Sequence, residues 1–223
     1  MKPFIIAYTA ICFLYSIPLC AQDFALTKDK LDAVGVVMSL ETLDKKSVVK
    51  VSKDPAVTMA DEPTYVKLKG TDLKDGTIEV NVLSRLLSNA PETARGFIGI
   101  AFRANGDNTK FECIYIRPTN GRANDQVRRN HSIQYFSYPD YKFDRLRKEA
   151  PERYESYADM GLNEWIKMKI VVNGAEAKLF LNNNKEPSLI VNDLKHGADL
   201  SGAVALYVDN GTEGYFADVK ISK

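Results

Sequence analysis

The chain has 223 residues, 45% of them hydrophobic and 26% charged, with 30 basic against 29 acidic side chains and a formal net charge of +1. That length supports a sizeable core. A balance so close to zero supplies no general attraction to nucleic acid or to an anionic membrane surface, so neither is expected as a partner, although a total would conceal a local basic patch.

The chain opens like an export signal. Met1-Lys2 supplies the charge, Phe4 to Leu19 is nearly all apolar, and Ala21-Gln22 offers a small-residue cleavage point. The apolar run is short for a membrane span, and Pro18 interrupts it. We therefore read residues 1–21 as a cleaved signal and 22–223 as one domain, bound for a bacterial periplasm or the exterior. Lipid attachment at Cys20 is the alternative, although Leu19 is a poor residue before such a site. Cys12 and Cys20 fall in the signal, so the mature chain keeps only Cys113 and no internal disulfide. Cys113 lies in a strand-like run and reads as a small buried hydrophobe.

Short β-branched runs follow at Val34–Leu40, Ser47–Val51 and Tyr65–Lys69. Thr77–Leu83 alternates, with Ile78, Val80 and Val82 on one face and Thr77, Glu79 and Asn81 on the other. Phe97–Arg103 and Phe111–Arg117 flank Asn105-Gly106, and Trp165–Val172 and Glu176–Leu181 flank Asn173-Gly174; both are hairpin signals. Ser132–Tyr138, Ser188–Val191, Ala203–Val208 and Tyr215–Ile221 complete the strands. The pattern predicts an all-β fold, an antiparallel jelly-roll β-sandwich. One charged segment, 140–157, breaks it. There Phe143, Leu146 and Ala150 share a helical face and Pro151 ends the run, which predicts one short helical insertion.

Strand parity sorts the faces. Ile98, Ile100, Phe102, Ile114, Ile116, Ile133, Val204, Leu206 and Val208 form a core face. The opposite face carries Phe97, Gly99, Ala101, Arg103, Cys113, Tyr115, Arg117, Gln134, Phe136, Tyr138, Ala203, Ala205 and Tyr207. Small residues leave room there, and aromatic and planar polar groups border it. A sugar needs such a border, because its hydroxyls take planar hydrogen-bonding partners and its apolar ring face packs on aromatics. The competing reading is that the 140–157 insertion covers this face, as a lid or as a plug.

The segments EWIKMKIVVNGAEAKLFLNN and SGAVALYVDNGTEGYFADVKI, with the hairpin GFIGIAFR and KFECIYIRP, resemble the concanavalin A-like lectin and glucanase superfamily. Within it they are most similar to laminin-G-like and 3-keto-disaccharide-hydrolase-like domains. The resemblance spans about residues 30–223 and implies a jelly roll. Family 16 glucanases of that superfamily carry E-x-D-x-x-E, and no glutamate here has an aspartate two residues on. The resemblance also allows a structural calcium, to which Asp209 or Asp218 would contribute; no His or Cys cluster marks a metal site, and no cofactor is expected.

The first functional expectation is a carbohydrate-recognising domain that binds a glycan fragment through Arg103, Tyr115, Arg117, Asn120, Arg122, Asp125, Gln126, Gln134, Tyr135 and Tyr138. Asn124, Arg128 and Arg129 belong to the same polar loop, whose competing role is ion pairing with the acidic residues of 140–157. The second is a glycoside-cleaving enzyme with Glu112 and His131 as acid and base. For Glu112 the competing role is a structural ion pair with Arg103 or Arg117, and for His131 a solvated loop position. The third is a laminin-G-like protein-interaction domain with no sugar site.

Overall fold

Residues 22–223 are described by the computed structural model; the expected signal, with Cys12 and Cys20, lies outside the described residues. In chain order the strands are β1 (Gln22–Asp23), β2 (Leu31–Val34), β3 (Val36–Leu43), β4 (Lys46–Lys53), β5 (Tyr65–Leu68), β6 (Gly76–Leu86), β7 (Ile98–Ala104), β8 (Phe111–Ile116), β9 (Ile133–Tyr138), β10 (Glu155–Ser156), β11 (Ile166–Asn173), β12 (Glu176–Leu181), β13 (Leu189–Val191), β14 (Ala203–Val208) and β15 (Thr212–Ser222). One sheet has the order β13-β12-β11-β6-β15-β4-β3, with β1 alongside β15; the other runs β10-β9-β8-β7-β14-β5-β2. Every pairing is antiparallel. The predicted jelly-roll β-sandwich is the fold observed.

Alternation explains why these residues pair this way. Ile78, Val80 and Val82 of β6 are each no more than 1% exposed, as are Ile98, Ile100 and Phe102 of β7 on the facing sheet. Burying each such side chain contributes about 1.5–3 kcal/mol, so a register slip of one residue would expose the whole set. Both reversals fall between the expected strands, β7 and β8 and then β11 and β12, but not on the Asn-Gly steps themselves. Asn173 still pairs with Glu176 and the second turn is Gly174-Ala175, with Gly174 at φ +56, while in the first the positive φ is taken by Asn108. Cys113 is buried and unpaired.

The insertion forms a helix at α3 (Phe143–Glu149), with Leu146 buried and Ala150 closing it. Two further helical turns, α1 (Pro118–Gly121) and α2 (Gln126–Asn130), sit in the 117–132 stretch that reads as loop in the sequence. Asp125 sets the start of α2, its carboxylate accepting from the Arg128 N–H at 2.9 Å. No helix of the described residues is long and apolar enough to cross a membrane.

One expectation from parity and one about pairing are corrected. Arg103 does not lie on the small-residue face. The β7–β14 register shifts there and Arg103 takes φ +55, which turns its side chain out of alternation. Its guanidinium is fully buried and donates to the carbonyls of Lys74 (2.6 and 2.8 Å), Gly174 (2.8 Å) and Gly197 (2.8 Å), stitching three turns at one end of the sandwich. Glu112 does face the inter-sheet space, but neither arginine partners it. It accepts from Tyr135 Oη–H at 2.7 Å and from the His196 N–H at 2.9 Å.

Candidate functional site

The small-residue face of the second sheet is largely covered. Tyr65, Phe111, Phe136 and Tyr207 on it are fully buried and Tyr115 is 2% exposed. These rings pack edge-on or tilted, with centroids 5.2–5.8 Å apart, in the space that Gly99, Ala101 and Ala205 leave. A Cβ on Gly99 would stand 2.6 Å from that of Tyr115, so only glycine admits the tyrosine here. Tyr138 stacks flat on Phe111 at 5.2 Å. The 54–64 segment and α3 close over this layer and are tied together: the Phe143 N–H donates to Asp61 Oδ2 at 2.8 Å, and Lys142 pairs with Glu62.

The cover stops short at one end. There the start of β7, the end of β8, the start of β9 and the end of β14 meet the two covering segments around a cleft of about 420 Å³. Phe97, Tyr115 and Phe143 supply apolar walls. Arg95, Arg117, Arg128 and Arg147, together with Asn120 and His131, bring donors, and Asp61 and Asp209 bring carboxyl groups.

A buried ion cluster supports one wall. Glu155 of β10 receives Arg117 Nη1 at 3.1 Å, Arg147 Nε at 3.0 Å and a second contact from Arg147 Nη2. Burial alone would raise the Glu155 carboxyl, but the two arginines outweigh it and hold it below the usual range. Arg117 also donates to Tyr115 Oη (2.8 Å), Gln134 Oε1 (3.1 Å) and the His131 carbonyl (3.1 Å) through Nη1 and Nη2. Its guanidinium also lies over the rings of Tyr115 and Phe143. His131 Nδ1 is 2.8 Å from Glu155 Oε1, off the line that a hydrogen bond would take. Burial depresses its pKa, with Arg147 and Arg117 adding to the effect and Glu155 opposing it.

The opposite wall holds the two aspartates. Asp209 binds Lys53 Nζ at 2.6 Å and accepts from Tyr207 Oη–H (3.1 Å) and from the Asp61 N–H (3.0 Å). Asp61, with φ +53 and 1% exposed, has no cation within 4.0 Å among the described residues. Burial pushes its carboxyl up to about 7; Asp209 adds to the rise, and the Phe143 N–H, Arg117 and Lys142 oppose it. A carboxyl that titrates near neutrality can donate or accept a proton, and it lines a cleft.

Of the residues singled out in the sequence, Tyr115, Arg117, Asn120, Arg128 and His131 converge on the cleft. The others lie elsewhere. Arg122 is held outside by Asp159 and Glu164. Asp125 caps α2, and Gln126 bonds Asn130. Gln134 stands behind Arg117. Tyr135 faces the inter-sheet space with Glu112, and Tyr138 packs on the covered layer. Glu112 and His131 are not brought together. Glu112 pairs with Ser137 near the end of β9, whereas His131 lies two residues before that strand begins. Asp218, proposed for calcium, bonds Lys46 and Asn81 on the first sheet, far from Asp209 on the second. Among the described residues no group of three or more His, Cys, Asp or Glu side chains is placed to hold a metal ion. Asp61, Arg95, Phe143 and Arg147 are not anticipated as site residues by the sequence, whereas parity already places Phe97 on this face. Asp209 carries a signal of its own, an aspartate in the Asp-Asn-Gly turn that follows β14.

No family model matches the chain, and no curated protein matches it by sequence. Its fold is shared with several solved structures. The carbohydrate-binding module CBM66 from Bacillus subtilis superposes with a TM-score of 0.55 at 12% identity, covering 86% of this chain and 98% of that one. A candidate glycosyl hydrolase from Parabacteroides distasonis gives 0.54 at 12% identity, covering 91% and 98%. A Bacillus subtilis protein of unknown function with a galectin-like fold gives 0.54 at 10% identity, covering 87% and 89%. At such identities the likeness concerns the fold, which is one that carbohydrate-binding proteins use.

Proposed function

We propose that this chain is an exported carbohydrate-recognising jelly roll that takes a glycan fragment into the cleft bounded by Phe97, Tyr115, Arg117, Asn120, His131 and Phe143. The supporting observation is the cleft itself. Its volume of about 420 Å³ falls in the range of small-molecule pockets, about 300–1,000 Å³. Its walls join aromatic faces to planar donors, the pair of features a pyranose requires. A carbohydrate-binding module and a candidate glycosyl hydrolase share the fold. Export rests on the N-terminal sequence and is tested by N-terminal sequencing of the processed protein; a diacylglyceryl mass on Cys20 would replace simple cleavage by lipid anchoring.

A glycan array with isothermal titration of each hit tests the binding. Phe97→Ala and Phe143→Ala should each weaken binding about tenfold, roughly one lost stacking contact, and Tyr138→Ala, outside the cleft, should not. Loss with Tyr138→Ala alone would move the site to the covered face.

Asp61 favours a second reading, glycoside cleavage. That chemistry uses one protonated and one ionised carboxyl group across the scissile bond, and Asp61 and Asp209 share the cleft. In this reading Asp61 takes the acid role in place of Glu112, which lies between the sheets and does not line the cleft. Product analysis on any array hit decides: turnover abolished by Asp61→Asn with binding retained supports an enzyme, and binding with no product supports a lectin.

A further inference from the structure

Four arginines line the cleft, and they fall into two kinds. Arg117 and Arg147 converge on Glu155. Arg95 and Arg128 have no carboxylate within 4.0 Å among the described residues. Arg95 Nη1 donates only to backbone carbonyls, those of Glu92 at 2.6 Å and Ala94 at 2.8 Å. Arg128 reaches only Asn120 Oδ1, through two contacts of 3.4 Å at the limit of hydrogen bonding. The other arginines without an ion pair, Arg85 and Arg129, rest over the rings of Tyr215 and Tyr157 outside the cleft. Arg95 and Arg128 have no such ring either.

This is not an overflow of basic residues, because the chain carries 30 basic and 29 acidic side chains. Nor do the carboxyl groups of the cleft neutralise the pair: Asp209 is bound to Lys53, and Asp61 has no cation within 4.0 Å. Burial lowers the Arg95 pKa, and the like charges of Arg128 and Arg117 lower it further. Holding guanidinium groups together without an anion costs free energy that a bound anion recovers, and their planar forks match carboxylate and sulfate oxygens.

We propose that the glycan taken by this cleft is acidic, with a ring carboxylate or a sulfate ester held between Arg95 and Arg128. The inference rests on the carbohydrate reading of the same cleft and adds the chemical class of the ligand.

The test uses matched probes. Oligogalacturonate against its methyl ester isolates a carboxylate, and sulfated galactan oligosaccharides against their desulfated forms isolate a sulfate. With the full processed protein, one acidic probe should bind at least about tenfold more tightly than its neutral partner, and its affinity should fall as NaCl rises from about 50 to 500 mM. Arg95→Gln and Arg128→Gln should each remove most of that preference. Arg128→Lys, which keeps the charge, should keep part of it, and Arg122→Gln, outside the cleft, all of it. Thermal unfolding of each variant shows that it is folded, and the salt dependence of the wild-type protein stands even where a variant is not. Equal binding of charged and neutral partners, unmoved by salt or by the two glutamine variants, would overturn the acidic-ligand inference and leave carbohydrate binding intact. No binding of any glycan on the array or of any probe would overturn both.

Discussion

Replacing Asp61 by asparagine should stabilise the protein in alkali and not in acid. Asparagine keeps the oxygen that accepts the Phe143 N–H, 2.8 Å away in the wild type, but cannot ionise. The ordinary carboxyl value is 3.8, and in the fold burial moves it to about 7. Between those values the folded state holds a proton that the unfolded chain releases. The contribution is therefore fully present below about 3.8 and is lost as pH rises through about 7. Three pK units amount to about 4 kcal/mol, since each is about 1.4. For a domain of this size that is on the order of 10 °C in melting temperature. Thermal unfolding of wild type and Asp61→Asn at pH 4 and pH 8.5 measures it. The difference, variant minus wild type, should rise by that amount across the range. Other groups, His131 included, titrate in both proteins and cancel in the comparison. A difference constant to within about 2 °C would show that Asp61 ionises without penalty, and its candidacy as a proton donor would go with it.

Glu155→Gln should cost about 3–5 kcal/mol at pH 7, because it leaves Arg117, 5% exposed, without its counter-charge. Since the Glu155 carboxyl is held below its ordinary 4.5, its contribution is present above that value and lost as pH falls through the lower, folded one. Urea unfolding at pH 7 and again in acid should show the cost shrinking; an equal cost at both would refute the ion cluster as its source. Arg103→Met should destabilise by about 3 kcal/mol, since it removes a fully buried guanidinium that ties the carbonyls of Lys74, Gly174 and Gly197 and the Asp75 carboxylate together. It should leave the affinity of the folded fraction for any glycan hit unchanged, because Arg103 lies outside the cleft; a folded variant with lost binding would contradict that placement.

The two carboxyl groups differ in how visible they are from sequence. Glu112 stands in an alternating strand, so its inward parity and its need for a partner were legible. Its actual partners, Tyr135 and the His196 N–H, come from 23 and 84 residues away, and nothing local announces them. Asp61 lies in a stretch, MADEPTY, with no periodicity at all, and its elevated pKa arises only when α3 and Asp209 close around it. Arg103 shows the opposite failure. Its strand alternates cleanly, and a single positive φ defeats the parity.

The sequence by itself determined the β-sandwich, because alternation and turn chemistry are local: a strand declares its buried face through every second residue, and a glycine between two such runs marks the reversal to within a residue or two. It also showed that one insertion would lie against the sheet and that arginines and aromatics gather near Arg117. Only the tertiary structure decided that tyrosines and phenylalanines fill most of the small-residue face. It alone left the open cleft at one end, where residues 60–61, 93–97, 115–131, 143–147 and 209–210 meet. Burial, charge crowding and raised acidity depend on distances between segments far apart in the chain, and no local pattern encodes such distances.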